Sequence, residues 1–150
     1  MKFKLPVMAA CLTLFSTCSN EPRKSQLEVV VDSFATHYFN CQYKESLPFV
    51  TKDSQKWLYY AASQINQEDI ETLQEQTESA THEVENIATK GKETSAQVSI
   101  HVNKFLQLDS IGRPGHFIEH ATFTLKAVKE NGKWKIKMEG LPQSERRNRD

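Results

Sequence analysis

Few residues in this 150-residue sequence have the type and spacing to do chemistry, and Glu119 leads them. Phe117, Glu119, Ala121, Phe123, Leu125 and Ala127 recur at every second position, so strict strand alternation puts Glu119 on an apolar face. A carboxylate placed there is desolvated, which raises its pKa toward the range of a general acid or base. Glu119 is therefore the candidate catalytic group of a pocket enzyme for proton transfer or hydrolysis. The competing reading puts it at the start of the strand, solvated and inert. His101 and His120 fall on the opposite, polar faces of their strands, so neither is placed as its partner. His82, His101, His116 and His120 show no zinc-type spacing with Cys or Glu, and on a strand His116 and His120 lie about 13 Å apart. No metal and no cofactor is expected. His37 borders an apolar helical stripe, and Cys41, without an adjacent base or a Cys-x-x-Cys partner, reads as a small core residue. There is no glycine-rich phosphate loop and no Gly-x-Ser-x-Gly elbow.

A different chemistry belongs to the N-terminus. Lys2 and Lys4 form a cationic start, and residues 5–15 a mostly apolar run too short to span a bilayer, which takes about 20 apolar residues. A run of that length suits the apolar region of a signal peptide. Leu14-Phe15-Ser16-Thr17-Cys18 follows, then the polar break Ser19-Asn20-Glu21. This resembles the lipobox of bacterial lipoproteins, with Thr17 and Phe15 where that motif usually has a small residue and Leu. The resemblance implies diacylation of Cys18 by chains such as palmitate, cleavage just before it, and stable anchoring, since each buried methylene contributes about 0.8 kcal/mol. Residues 1–17 are then a signal peptide, and 18–24 the lipidated Cys with a flexible spacer. The protein is expected to be exported and lipid-anchored at the cell membrane or outer membrane. Two alternatives stand beside this reading. Cys11 after Met8-Ala9-Ala10 could be the modified residue, leaving residues 12–15 as an apolar remnant, or the segment is an ordinary helix with an incidental Cys.

Composition narrows the remainder. A hydrophobic content of 38% suits one globular domain, and 19 Lys plus Arg against 19 Asp plus Glu argues against a nucleic-acid partner. Loss of Lys2 and Lys4 would leave 17 basic against 19 acidic residues. With Cys18 consumed, Cys41 has no partner, so no internal disulfide forms and the core must carry the stability. Charge is segregated: residues 66–93 hold eight acids and two lysines, and residues 126–149 eight basic residues and three acids. That separation fits self-association as a homodimer or an anionic envelope partner; it equally fits a solvated sheet face whose lysines discourage edge pairing.

The elements that must position these residues follow from periodicity. Ser25 and Glu28 have capping-box spacing, and Leu27, Val30, Val31, Phe34, Ala35 and Tyr38 line one helical face, ending near Asn40 or Cys41. A short segment with Tyr43, Leu47, Phe49 and Val50 is limited by Pro48. Asp53 or Ser54 caps a helix carrying Trp57, Leu58, Ala61, Ala62 and Ile65, and Asn66 with Asp69 opens a polar helical stretch through Gln76. After Ala80 the period changes to two. Strands are predicted over 81–88, from Ser95, and over 116–129, with a tight turn at Lys90-Gly91 and a loop over 109–115. Asn131-Gly132 predicts a hairpin that pairs Ala127 with Ile136 and Leu125 with Met138, so Trp134, Ile136 and Met138 join the apolar face. The result is an α+β fold, N-terminal helices packed on a curved antiparallel sheet of about four strands.

The opening helix, the 39–50 segment, the Trp57 helix and the closing Glu130-Asn131-Gly132-Lys133-Trp134-Lys135-Ile136 hairpin resemble a nuclear-transport-factor-2-like (cystatin-like) domain over residues 25–140. Residues 141–150 are expected to be a disordered tail. The resemblance implies a cone whose sheet and helices enclose a pocket, with Phe34, Tyr38, Trp57, Phe117, Glu119, Phe123 and Trp134 placed to line it. Enzymes such as ketosteroid isomerase and scytalone dehydratase put carboxylates or histidines in that pocket, whereas small lipoproteins with this domain have no assigned chemistry. The leading expectation is a non-enzymatic domain binding a small apolar ligand or an envelope protein; the alternative is the enzyme built on Glu119.

Overall fold

The computed structural model describes residues 23–91, 93–108 and 112–145. The expected signal peptide, Cys18, most of the expected spacer and residues 146–150 of the expected tail lie outside them; within that expected tail Leu141 packs on the core, Ser144 pairs beside Phe123 and the Glu145 N–H bonds Thr122 O, so order extends past residue 140. Among the described residues four α-helices pack against a four-stranded antiparallel sheet of order β1-β2-β3-β4, the α+β arrangement that the periodicity predicts. The helices are α1 (Gln26–Phe39), α2 (Tyr43–Ser46), α3 (Gln55–Gln64) and α4 (Gln67–Glu75); the strands are β1 (Thr81–Lys90), β2 (Ser95–Gln107), β3 (His116–Glu130) and β4 (Lys133–Lys137). Among the described residues no helix is long and apolar enough to cross a membrane.

Local chemistry explains most boundaries. Ser25 and Glu28 close a capping box at the start of α1, and Asn66 and Asp69 close another at α4, each satisfying two backbone N–H groups that a helix start leaves free. Ser54 departs from expectation. It stands at the N-cap of α3 without capping it, because a 3-10 turn over Lys52–Ser54 already holds it in helical geometry. Its hydroxyl is used elsewhere, bonded to Thr51 Oγ1 at 2.6 Å and accepting the Met138 N–H at 2.8 Å, which ties this turn to the segment after β4. Lys90-Gly91 opens a four-residue loop rather than a tight turn, since Lys90 pairs with Ser95. The Asn131-Gly132 hairpin forms with Ala127 opposite Ile136, and Trp134, Ile136 and Met138 are all buried.

The core lies between α1 and the inner sheet face. Leu27, Val31, Phe34, Ala35, Tyr38 and Phe39 of α1 meet Ala96, Val98, Ile100, Val102 and Phe105 of β2 and Phe123, Leu125 and Ala127 of β3. Burying each large side chain contributes about 1.5–3 kcal/mol.

One departure decides where Glu119 goes. Lys104 adopts a left-handed backbone, φ 55°, and the Lys104–Glu119 rung is missing between two otherwise continuous stretches of the β2–β3 ladder. Beyond it the inward set changes parity on both strands: Phe105 is buried where Lys104 would have been, and Ile118 packs on the core in place of Phe117. Phe117 is therefore 41% exposed, and Glu119 is exposed as well. This corrects the expectation that strict alternation carries both onto the apolar face.

Candidate functional site

The space where a cone pocket would lie is filled. Phe39, Phe105 and Phe123 pack ring to ring, with centroids 4.8–5.4 Å apart, and Tyr38 sits edge-on to Phe39 and Tyr43. What remains beside them is a cleft of about 20 Å³ lined by Tyr38, Phe39, Tyr43, Phe105, Leu108 and Leu141 among others, room for about one water. Of the residues expected to line a pocket, Tyr38 and Phe123 border this cleft. Phe34 and Trp134 are core residues, and Trp57 is half-buried on α3, edge-on to Tyr60 and beneath Lys56.

Next to the cleft is a buried polar group that sequence reasoning missed. Cys41 takes φ 57° just after α1, and its thiol shares a hydrogen bond with the Tyr43 hydroxyl. Burial pushes the Tyr38 and Tyr43 phenols well above their ordinary value, with the Cys41 thiol adding to both, and burial also pushes the Cys41 thiol up. All three are therefore neutral at pH 7 and unsuited to nucleophilic work. Asp69, 1% exposed, accepts the Asn66 N–H at 3.0 Å and the Gly115 N–H at 2.6 Å. Both oxygens are engaged in fastening α4 to the chain entering β3. The capping-box spacing could reveal the first bond, but nothing local announces the second. Gly115 permits it, because a Cβ there would meet Gln107 O and Leu106 Cγ at 2.9 Å.

The outer sheet face brings two histidines together. His101 and His120, diagonal across β2 and β3, stack with centroids 5.8 Å apart, and His101 Nδ1 lies 3.3 Å from Thr122 Oγ1 and 4.0 Å from Glu85. The ladder sets this meeting: His101 stands opposite Thr122 and Asn103 opposite His120, so the two histidines are diagonal neighbours on one face, a register that a hairpin centred on residues 109–115 misses by one residue. Two imidazoles fall short of the three or four ligands a zinc site takes, and among the described residues no cluster of three or more His, Cys, Asp or Glu could hold a metal. A groove runs beside them along β3, lined by Gln107, Ile118, His120, Thr122 and Glu145. Glu119 lines neither this groove nor the interior cleft. The desolvation that its proposed acid–base role requires is missing.

The apolar concavity is on the helical side. Two 3-10 turns, Leu47–Phe49 and Lys52–Ser54, and the pairing of Val50 beside Ile136 fold α3 back against α2. Between the two helices lies a groove of about 280 Å³ with buried Tyr43 and Leu58 as its floor and Leu47, Tyr59, Ala62 and Lys44 around it. Tyr59 is 62% exposed. This arrangement can hold an apolar group, with the Lys44 ammonium and the Tyr59 phenol as the polar side chains at its exposed edge.

Fold and site thus define an α+β domain with a filled interior and an external apolar groove. No family model matches the sequence, and a search of curated proteins returned no match. Among solved structures the chain is similar to a protein of unknown function from Mycobacterium tuberculosis, at 9% identity and TM-score 0.49, over 82% of this chain and 72% of that one. It is also similar to a provisionally named scytalone dehydratase from Novosphingobium aromaticivorans, at 15% identity and TM-score 0.43, over 81% and 83% of the two chains. A provisionally named polyketide cyclase from Xanthomonas campestris pv. campestris gives 12% identity and TM-score 0.36, over 75% and 90%.

Proposed function

We propose that this chain is a non-enzymatic binding domain of nuclear-transport-factor-2-like design, exported and held at the cell envelope by a lipid on Cys18, which holds a small apolar ligand between α2 and α3. The observation that carries the reading is the distribution of space. The interior cleft has room for about one water, whereas the external groove of about 280 Å³ is walled by Tyr43, Leu47, Leu58, Tyr59 and Ala62. A saturable site for the neutral apolar dye N-phenyl-1-naphthylamine is the expected result, read as enhanced fluorescence and lost in Ala62→Trp. Ala62 is exposed, so Trp there obstructs the groove without disturbing the core. Absence of saturable binding, or equal binding by Ala62→Trp, overturns the groove as the site. The anchor is supported by the cationic start, the short apolar run and the polar break after Cys18. Wild type should incorporate labelled fatty acid and Cys18→Ala should not; equal labelling removes Cys18 from the proposal.

A further inference from the structure

We infer that the groove between α2 and α3 is a site for the hydrocarbon chain of a medium-length fatty acid whose carboxylate rests on Lys44; this rests on the binding reading above and names its ligand class. The size of the groove excludes much else. At about 280 Å³ it falls just under the range of about 300–1,000 Å³ that drug-sized ligands occupy, so a two-chain lipid has too little room. If a methylene takes about the 30 Å³ share of a liquid water, the groove holds roughly nine or ten carbons in a single chain.

Its chemistry points the same way. The floor and walls are aliphatic and aromatic carbon from Tyr43, Leu47, Leu58, Tyr59 and Ala62, and among the described residues the Tyr43 hydroxyl is already turned to Cys41. Among these walls the Tyr59 hydroxyl is the other side-chain polar atom, and it stands on an exposed residue at the groove's outer side. The one charge is at the edge: Lys44, on the exposed side of α2, lines the groove and forms no ion pair among the described residues. A flexible ammonium at the rim of an apolar slot complements a ligand that is apolar along its length and anionic at one end. Tyr59 stands 62% exposed on the opposite helix and would cover the chain once it is seated.

The test is displacement of N-phenyl-1-naphthylamine from the full-length chain by decanoate, octanoate, hexanoate and decan-1-ol. Affinity should fall about fourfold for each methylene removed, the value of burying a methylene, so hexanoate should be roughly 250-fold weaker than decanoate. Decanoate should bind about two- to fivefold more tightly than decan-1-ol, the range of an exposed ion pair, and Lys44→Gln should erase that preference. Leu47→Gln, at the half-buried wall, should weaken all the ligands together, and thermal melts of each variant separate this from misfolding. Dye binding that is lost in Ala62→Trp but not displaced by decanoate overturns the fatty-acid assignment and leaves the groove standing. An undiminished carboxylate preference in Lys44→Gln overturns the role of Lys44. No dye binding at all overturns the binding reading and this inference with it.

Discussion

Tyr38, Cys41 and Tyr43 are three ionisable side chains that the fold keeps neutral, and this sets an upper pH limit on the domain. Tyr38 and Tyr43 are buried and Cys41 is half-buried, and desolvation raises each pKa above the ordinary value, 10 for the phenols and 9 for the thiol. The unfolded chain therefore releases these protons at a lower pH than the folded one. Stability from the three is complete below about pH 9 and declines as pH rises through the unfolded values, by up to about 1.4 kcal/mol per pH unit for each group. Urea denaturation from pH 7 to 11 should show a flat region and then a fall. Tyr43→Phe should make that fall shallower by one proton's worth while costing about 1 kcal/mol at pH 7 for the lost bond to Cys41. A variant whose alkaline slope equals that of wild type would mean that Tyr43 is not among the titrating groups.

At the scale of elements, the sheet is governed by Lys104. The two capping boxes and the Asn131-Gly132 hairpin are legible in the sequence because each is decided by residues within four positions of one another. The inward set of β2 and β3 is legible only as far as the alternation stays regular. A left-handed residue in the middle of a strand leaves no mark in hydrophobic periodicity, and Lys is not a type that advertises one. Strict alternation consequently puts Phe117 and Glu119 on a face from which the change at Lys104 removes them. The groove between α2 and α3 is illegible for a different reason: its walls come from elements joined by two 3-10 turns, whose direction no helical period encodes. The backbone at Lys104 is testable, because a β-branched residue tolerates φ 55° worse than lysine does and glycine tolerates it better. Lys104→Val should lower stability by about 1–2 kcal/mol, and Lys104→Gly should be neutral or stabilising by up to about 1 kcal/mol. Both variants lose the ion pair with Glu78, so Glu78→Gln is the reference for that exposed contact, at about 1 kcal/mol or less.

Across the whole molecule, what separates a filled interior from a usable groove is one side chain. Tyr43 lines the interior cleft on one side, beside Tyr38, Phe39 and Phe105, and the floor of the α2–α3 groove on the other, beside Leu58. The aromatic packing that makes the domain stable is thus also the wall that limits what the groove can take. Shortening Tyr43 to Ala should join the two spaces. The loss of a buried aromatic costs about 3–5 kcal/mol, much of it the cavity left behind, so the melting temperature should drop sharply. Ligand selectivity should move the other way, because a chain entering past Leu58 would then reach the space beside Phe39 and Phe105. Dodecanoate or tetradecanoate should become the preferred competitor where decanoate is preferred in wild type. If Tyr43→Ala melts earlier but keeps the chain-length preference of wild type, the rings of Tyr38, Phe39 and Phe105 have collapsed into the gap, and the interior is closed by the whole aromatic cluster rather than by Tyr43 alone.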